Sequence, residues 1–284
     1  MGQIEEMKKI NLKEPPEFKK ECYLKQQQME LVGDFNSDVN ENPTEAPVKV
    51  DETFDFYRKG FRNAIKKAFY LTCLKIYSAK INRQLKTKVV GKKNWKGLKS
   101  AIITSNHVSL FDSFAIRKAT GFNIKYVAAY YNNWDGVMGE VSRHTGYMPL
   151  KPFDLKFMRK FNDAVEHFLN KGKKILIYPE QAMWRDYKKP RPMKNGAFHY
   201  AAKHNVPIAP IFITMREGTT EAGAEYPYFT INMLPPIYPK KDLTIKENVE
   251  FLRKENYRLW KECYETIYGV TLQYTTQNKD KIII

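Results

Sequence analysis

From residue 86 onward the chain alternates short apolar runs with longer amphipathic stretches, and this rhythm limits the fold more than any other feature. "KTKVVGKKNW" (86–95), "SAIITSN" (100–106), "IKYVAAYY" (124–131), "KKILIYPE" (173–180), "VPIAPIFITM" (206–215) and "YFTINMLPPIYP" (228–239) read as strands. Between and after them, "SLFDSFAIRKATG" (109–121), "DLKFMRKFNDAVEHFLNKG" (154–172), "GAFHYAAKHN" (196–205) and "TIKENVEFLRKENYRLWKECYETIYG" (244–269) read as helices. Gly121 and Gly172 stand where two of these helices should stop. Such alternation predicts an α/β fold with a largely parallel central sheet flanked by helices. In sheets of this kind, sites lie at the carboxyl ends of strands.

Composition narrows the class. With 284 residues, 43% hydrophobic and 14% aromatic, the chain can build a sizeable core. Cys22, Cys73 and Cys263 are far apart and form no CxxC pair, so reduced thiols are expected and neither a disulfide framework nor a metal site. No run approaches the roughly 18 apolar residues of a membrane span. The opening "MGQIEEMKKINLKE" has no apolar signal core, and Glu6 stands where a myristoylation motif beginning at Gly2 wants Ser or Thr. These features predict a cytoplasmic protein, peripheral on the inner face of a membrane.

Charge is distributed in blocks. Residues 1–50 carry a net −3 and read as a poorly ordered polar leader, with room for two short polar helical stretches before the turn-rich "GDFNSDVNENPTEAP"; its charge fits either a segment resting against the basic body or a disordered tail. No acidic residue occurs from Phe56 to Phe111, while residues 57–99 carry fourteen Lys or Arg. Within this block, residues 51–85 read as a basic amphipathic helix. Phe54, Tyr57, Phe61, Ile65, Phe69, Cys73 and Ile76 recur at spacings of three and four, opposite Arg58, Lys59, Arg62, Lys66, Lys67 and Lys75. Two readings fit: a helix lying in the interface of an anionic membrane, or a helix packed on its own core with a solvated basic face. The expected organisation is therefore leader (1–50), surface helix (51–85), α/β domain (86–240) and C-terminal helical segment (241–284).

The chemistry centres on "SNHVSLFDSF" (105–114). His107 falls where a buried strand turns into a helix, and Asp112 follows five residues later. A neutral histidine can take a proton from a hydroxyl while a carboxylate on its other nitrogen fixes the tautomer. Free N–H groups at the helix opening offer a place for an oxyanion or phosphate. Alone, such a pair also fits a strand-end histidine beside a capping aspartate. Glu180 just past a strand end, with Arg185, Lys188, Lys189, Arg191 and Lys194 behind it, is a second candidate contact. Pro207 and Pro210 mark an edge, a bulge or a strand start. His144, His167, His199 and His204 are given no role.

Asn106-His107-x-x-x-x-Asp112, the Gly-to-basic stretch at 146–151, Pro179-Glu180, and Val206-Pro207-Ile-x-Pro210 resemble, in order and spacing, the four motifs of the lysophospholipid acyltransferase family, whose type members are 1-acyl-glycerol-3-phosphate acyltransferases. The resemblance spans about residues 86–240. It implies that His107 is the general base on an acceptor hydroxyl, which attacks the thioester of acyl-CoA or an acyl carrier protein, and that Asp112 orients it. Asn106, Lys151, Glu180 and Arg185 would contact the acceptor, and the Pro207–Pro210 strand would line the acyl site. No metal or bound cofactor is implied. The family's third motif reads Pro-Glu-Gly-Thr-Arg; here Gln181 and Ala182 replace the small Gly and the Thr, and the arginine comes two places late, at Arg185. Lys151 stands where the family has Arg, and lysine lacks the planar fork. Acceptors other than lysophosphatidate, including another lysolipid or a glycolipid, thus stay open. A lipid-binding protein without activity is a further reading. A nucleic-acid binder is disfavoured, because the aromatics gather on one helix face and are not spread as stacking platforms.

Overall fold

β2 (Ala101–Ser105) is buried at every position and lies in the middle of a seven-stranded sheet. The computed structural model describes residues 16–39, 42–217 and 227–277; the readings made at Gly2 and Glu6 fall outside them. The other strands are β1 (Lys88–Val90), β3 (Ile124–Ala129), β4 (Tyr147–Leu150), β5 (Lys174–Ile177), β6 (Ile208–Arg216) and β7 (Tyr228–Met233). Their order is β1-β7-β6-β2-β5-β3-β4. β6, β2, β5, β3 and β4 run parallel; β7 is antiparallel to β6, and β1 follows β7. This is the expected α/β architecture with a mostly parallel sheet.

Seven α-helices are described: α1 (Pro16–Val32), α2 (Phe61–Gln84), α3 (Asp112–Thr120), α4 (Gly136–His144), α5 (Leu155–Asn170), α6 (Gly196–Lys203) and α7 (Ile245–Tyr268). Their starts follow local chemistry. Asp154 caps α5 by accepting from Phe157 N–H, and Thr244 with Glu247 forms a full capping box on α7. Because β2, β5 and β6 are flanked on both sides, their side chains feed two cores. One, over α5, α6 and α7, holds Ile102, Phe161, Phe198, Phe212 and Trp260; the other, under α2 and α3, holds Ile81, Ile103, Ala115, Ile211 and Ile231.

Three expectations change. Of the alternatives for the two prolines, the edge is ruled out, since β6 lies between β2 and β7, and the strand start holds for Pro207, which immediately precedes β6 and whose carbonyl accepts from Ile102 N–H. Residues 16–39 are not a loose leader. Cys22, Phe35 and Val39 are buried with Ala182 and Trp184, and Phe35 stacks on the Trp184 ring at 6.0 Å. Glu30 is buried and accepts from the Tyr187 hydroxyl (2.8 Å), Lys189 Nζ (2.7 Å) and Thr275 N–H (2.8 Å). Glu30 of the leader thus partners a basic loop of the body.

Third, residues 51–60 are not helical. Gly60 has φ 97°, a left-handed conformation that sets the helix start at Phe61. Phe56 is buried against Phe157 and Phe161, so the chain before α2 folds back onto α5. The apolar stripe of α2 then faces outward. Phe61 is 81% exposed, Ile65 56%, Phe69 63% and Ile76 69%, whereas Leu74, Ser78, Ile81 and Asn82 face the protein. The bland reading, a stripe packed on its own core, is overturned.

Phe35→Ala should cost about 3–5 kcal/mol, the usual toll of emptying a fully buried aromatic site. Denaturant unfolding with unchanged slope measures it. A loosely attached leader would give a change near zero.

Candidate active site

The carboxyl end of β2 delivers His107, and the first residue of α3 delivers Asp112. His107 Nδ1 lies 2.8 Å from Asp112 Oδ2. That same oxygen accepts from the backbone N–H of Val108 (2.8 Å) and Ser109 (3.1 Å). An acceptor already holding two N–H groups takes a third donor, so Nδ1 carries the proton. Nε2 is left as the lone-pair nitrogen, with no hydrogen-bond partner among the described residues, and the side chain is 23% exposed. The Tyr178 ring stacks on the imidazole at 4.0 Å and 15°, fixing its plane. Burial holds the Tyr178 hydroxyl well above its ordinary range, so the phenol stays uncharged.

Asp112 is buried, and its Oδ1 has no partner among the described residues. Burial pushes its carboxyl pKa up, while the His107 hydrogen bond and charge and the two backbone donors pull against that shift. A poorly solvated carboxylate of this kind gains from a positive neighbour. It therefore favours the imidazolium that forms when Nε2 accepts a proton.

Glu180 has a different task from the one expected. Its carboxylate is 1% exposed, and its Oε2 accepts from His107 N–H (3.1 Å) and Arg191 Nη2 (2.9 Å). Its Oε1 accepts from Arg191 N–H at 2.8 Å. Arg191, also 1% exposed, donates to the carbonyls of Phe35 (3.1 Å) and Ala182. Glu180 is thus saturated by protein groups and cannot hold a headgroup. It fixes the backbone from which His107 projects, and Trp184 N–H bonds to the His107 carbonyl from the same loop. Gln181 sits at φ 64°, the left-handed geometry that the usual Gly of this motif supplies. The turn survives the substitution at a cost of about 1–2 kcal/mol.

The remaining sequence candidates scatter. Asn106 is wholly buried and bridges β2 to β6 by donating to the Ile213 carbonyl (3.0 Å) and accepting from Ile213 N–H (2.7 Å); it contacts no cleft. Pro207 lies at the amino end of β6, where Ile208 pairs with Ile102, so it is at the opposite end of the sheet from His107. Lys151 Nζ is occupied by the Val50 carbonyl (3.1 Å) and Asp154 (3.4 Å). The Arg185 guanidinium lies over the Phe18 ring of α1 at 5.2 Å, drawn away by the docked leader. The N–H groups expected to be free after His107 are taken, those of His107, Val108 and Ser109 being used by Glu180 and Asp112. Tyr178 and Arg191 were missed as site residues. Tyr178 ends the "ILIY" run, which alone could have marked it; nothing local singles out Arg191 among its basic neighbours.

A cavity of about 300 Å³ opens beside the pair, lined by α2 (Cys73, Leu74, Tyr77), by Leu110, Phe111, Ser113 and Phe114 near Asp112, and by Trp134 and Val141 on the far side. Its wall is almost wholly apolar, and its near end lies on the segment that joins His107 to Asp112. It is this cavity, and not the Pro207–Pro210 strand, that has the shape for a hydrocarbon chain.

Residues 86–214 match the family model described as Acyltransferase. Over 173 residues the chain is 28% identical to the 1-acyl-sn-glycerol-3-phosphate acyltransferase BAT2, chloroplastic, of Brassica napus, covering 61% of this chain and 48% of that protein. The chain thus spans about half the length of the curated relative it matches. The fold is also similar to that of the 1-acyl-sn-glycerophosphate (LPA) acyltransferase PlsC from Thermotoga maritima, with a TM-score of 0.54 at 16% identity over 78% of this chain and 89% of that one.

Removing one partner of the buried pair strands the other as an unpaired charge. Glu180→Gln and Arg191→Met should each destabilise by about 3–5 kcal/mol. The double variant Glu180→Met with Arg191→Met should regain part of that loss by thermal unfolding, yet stay impaired in activity because the His107 backbone is no longer held.

Proposed function

We propose that the chain transfers a fatty acyl group from the thioester of acyl-CoA or an acyl carrier protein to a hydroxyl of a lysophospholipid of the 1-acylglycerol-3-phosphate type, on the surface of an anionic membrane in phospholipid biosynthesis. The observation that carries the reading is the His107–Asp112 contact at 2.8 Å, with an apolar cavity that reaches Leu110 and Phe111 between the two. His107 Nε2 takes the proton of the acceptor hydroxyl as that oxygen attacks the thioester carbon. The tetrahedral intermediate collapses, the C–S bond breaks, and the imidazolium returns its proton to the leaving thiolate. Asp112 stays ionised throughout and stabilises the imidazolium. The acyl chain occupies the cavity between α2, α3 and α4. No covalent acyl-enzyme and no metal or bound cofactor enter this scheme; the thioester is a substrate.

The acceptor's headgroup is the more open half of the reading. Lys151 and Arg185, the expected phosphate contacts, are both directed elsewhere. That observation favours, as a second reading, a different lysolipid or a glycolipid as acceptor.

For the membrane, support comes from α2. Its outward face carries Phe61, Ile65, Phe69 and Ile76 between Arg62, Lys75, Lys80 and Arg83, and its inner face lines the cavity through Cys73, Leu74 and Tyr77. Among the described residues no helix is long and apolar enough to cross a membrane, so this face would lie in the interface and not span it. The site would face the cytoplasmic leaflet, where anionic lipids attract basic segments.

Two measurements test these statements. His107→Ala should lower acyl transfer to a panel of lysolipids, read by mass spectrometry, by at least about a hundredfold, the scale of a general-base contribution; wild type that transfers to none of them contradicts the enzyme reading. Phe61→Ser with Phe69→Ser should weaken binding to anionic vesicles more than tenfold, since each buried Phe contributes about 1.5–3 kcal/mol, and should leave the fold intact because both side chains are exposed.

A further inference from the structure

A second chemistry-bearing cluster lies at the amino-terminal end of the sheet, away from His107. Lys125, the second residue of β3, shares its side of the strand with the core residue Val127. Its Nζ rests 3.9 Å from the centre of the Phe168 ring near the end of α5. Phe168 adjoins His167 (5.4 Å) and Tyr57 (5.9 Å), and Tyr57 meets His167 edge-on at 4.9 Å. Lys59 Nζ lies 5.5 Å from the Tyr57 ring. Lys67 from α2, and Lys173 and Arg58, all act on Lys125, while Lys171 and Lys59 act on His167. Among the described residues no carboxylate is within ion-pair reach of Lys67, Lys125, Lys171 or Lys173; the acids that reach the patch, Asp163 and Asp55, lie by Tyr57.

Cations collected on an aromatic step without a countercharge cost free energy in the isolated protein. Burial, then the neighbouring cations, push the Lys125 ammonium down to about 8. Any dianionic or monoanionic oxygen group placed there recovers both losses. The cluster adjoins the amino end of α2, whose outward apolar face begins at Phe61.

We propose that Lys59, Lys67, Lys125, Lys171 and Lys173, around the Tyr57–His167–Phe168 step, form a binding site for the phosphate-bearing headgroup of an anionic membrane lipid, separate from the acceptor site. The proposal rests on the membrane-surface reading of α2 and specifies which lipid atoms the protein grips. The headgroup holds the domain on the bilayer at the amino end of α2, while the acyl cavity lies farther along α2, at Cys73, Leu74 and Tyr77.

The experiment is co-sedimentation of the full chain with phosphatidylcholine vesicles, with and without phosphatidylglycerol, for wild type, Lys125→Met, Lys173→Met and Lys254→Met. Methionine keeps the Lys125 stem on Phe168, and Lys254, exposed on α7, controls for the loss of one charge from a chain of net +17. The expected result is a roughly fivefold weaker affinity for anionic vesicles for each of Lys125→Met and Lys173→Met, little change for Lys254→Met, and unchanged acyl transfer to detergent-dispersed acceptor. Equal losses in all three variants mean diffuse attraction and overturn the site while leaving the membrane reading intact. Wild type that binds neither kind of vesicle overturns both. Lys125-dependent capture of soluble glycerol phosphate without vesicle binding overturns the lipid as occupant.

Discussion

The Glu180 carboxylate is the contact on which the rest of the site depends. A buried anion is tolerable only when its oxygens are fully occupied, and here Arg191 supplies two donors and the His107 backbone a third. One consequence is local: the strand exit that carries His107 is clamped to the loop after β5, so the imidazole has a fixed origin. The other is global. Arg191 also bonds to the Phe35 carbonyl, which couples the docked leader to the same loop. Residues far apart in the chain thereby hold one backbone segment, and the reacting side chain needs only Asp112 and Tyr178 to set its tautomer and plane.

The parallel sheet and the base pair were legible because both are written in local pattern. Apolar runs of four to nine residues between amphipathic stretches fix the α/β class, and a histidine at a strand exit with an aspartate one and a half turns on places both on one side of a helix start. What was not legible depends on side chains distant in sequence. Glu180 read as a substrate contact because an acid past a strand end usually is available, and only the fold shows that Arg191, eleven residues on, consumes it. Asn106 and Pro207 carry motif positions for the sake of the sheet: one ties β2 to β6, the other begins β6. The leader read as poorly ordered because its partners lie far away in the chain: Glu30 is buried among Tyr187, Lys189 and Thr275. The partition of α2 depended on where the helix starts, which Gly60 decides.

The outward turn of the α2 stripe links chemistry to location. The helix has apolar surface on both sides, one lining the cavity and the other facing solvent. The basic residues beside the stripe, and the acid-free stretch from Phe56 to Phe111, fit a surface that meets phosphate headgroups.

The account stands on one assignment: Nδ1 of His107 carries the proton and Nε2 is bare. Nitrogen-15 NMR of the imidazole in the full chain reads this directly. Above the imidazole titration, the wild type should show a protonated Nδ1 coupled to a low-field proton and an unprotonated Nε2, and Asp112→Asn should lose that preference. A resting imidazole with its proton on Nε2 would contradict the account, because it leaves no nitrogen to take the acceptor's proton.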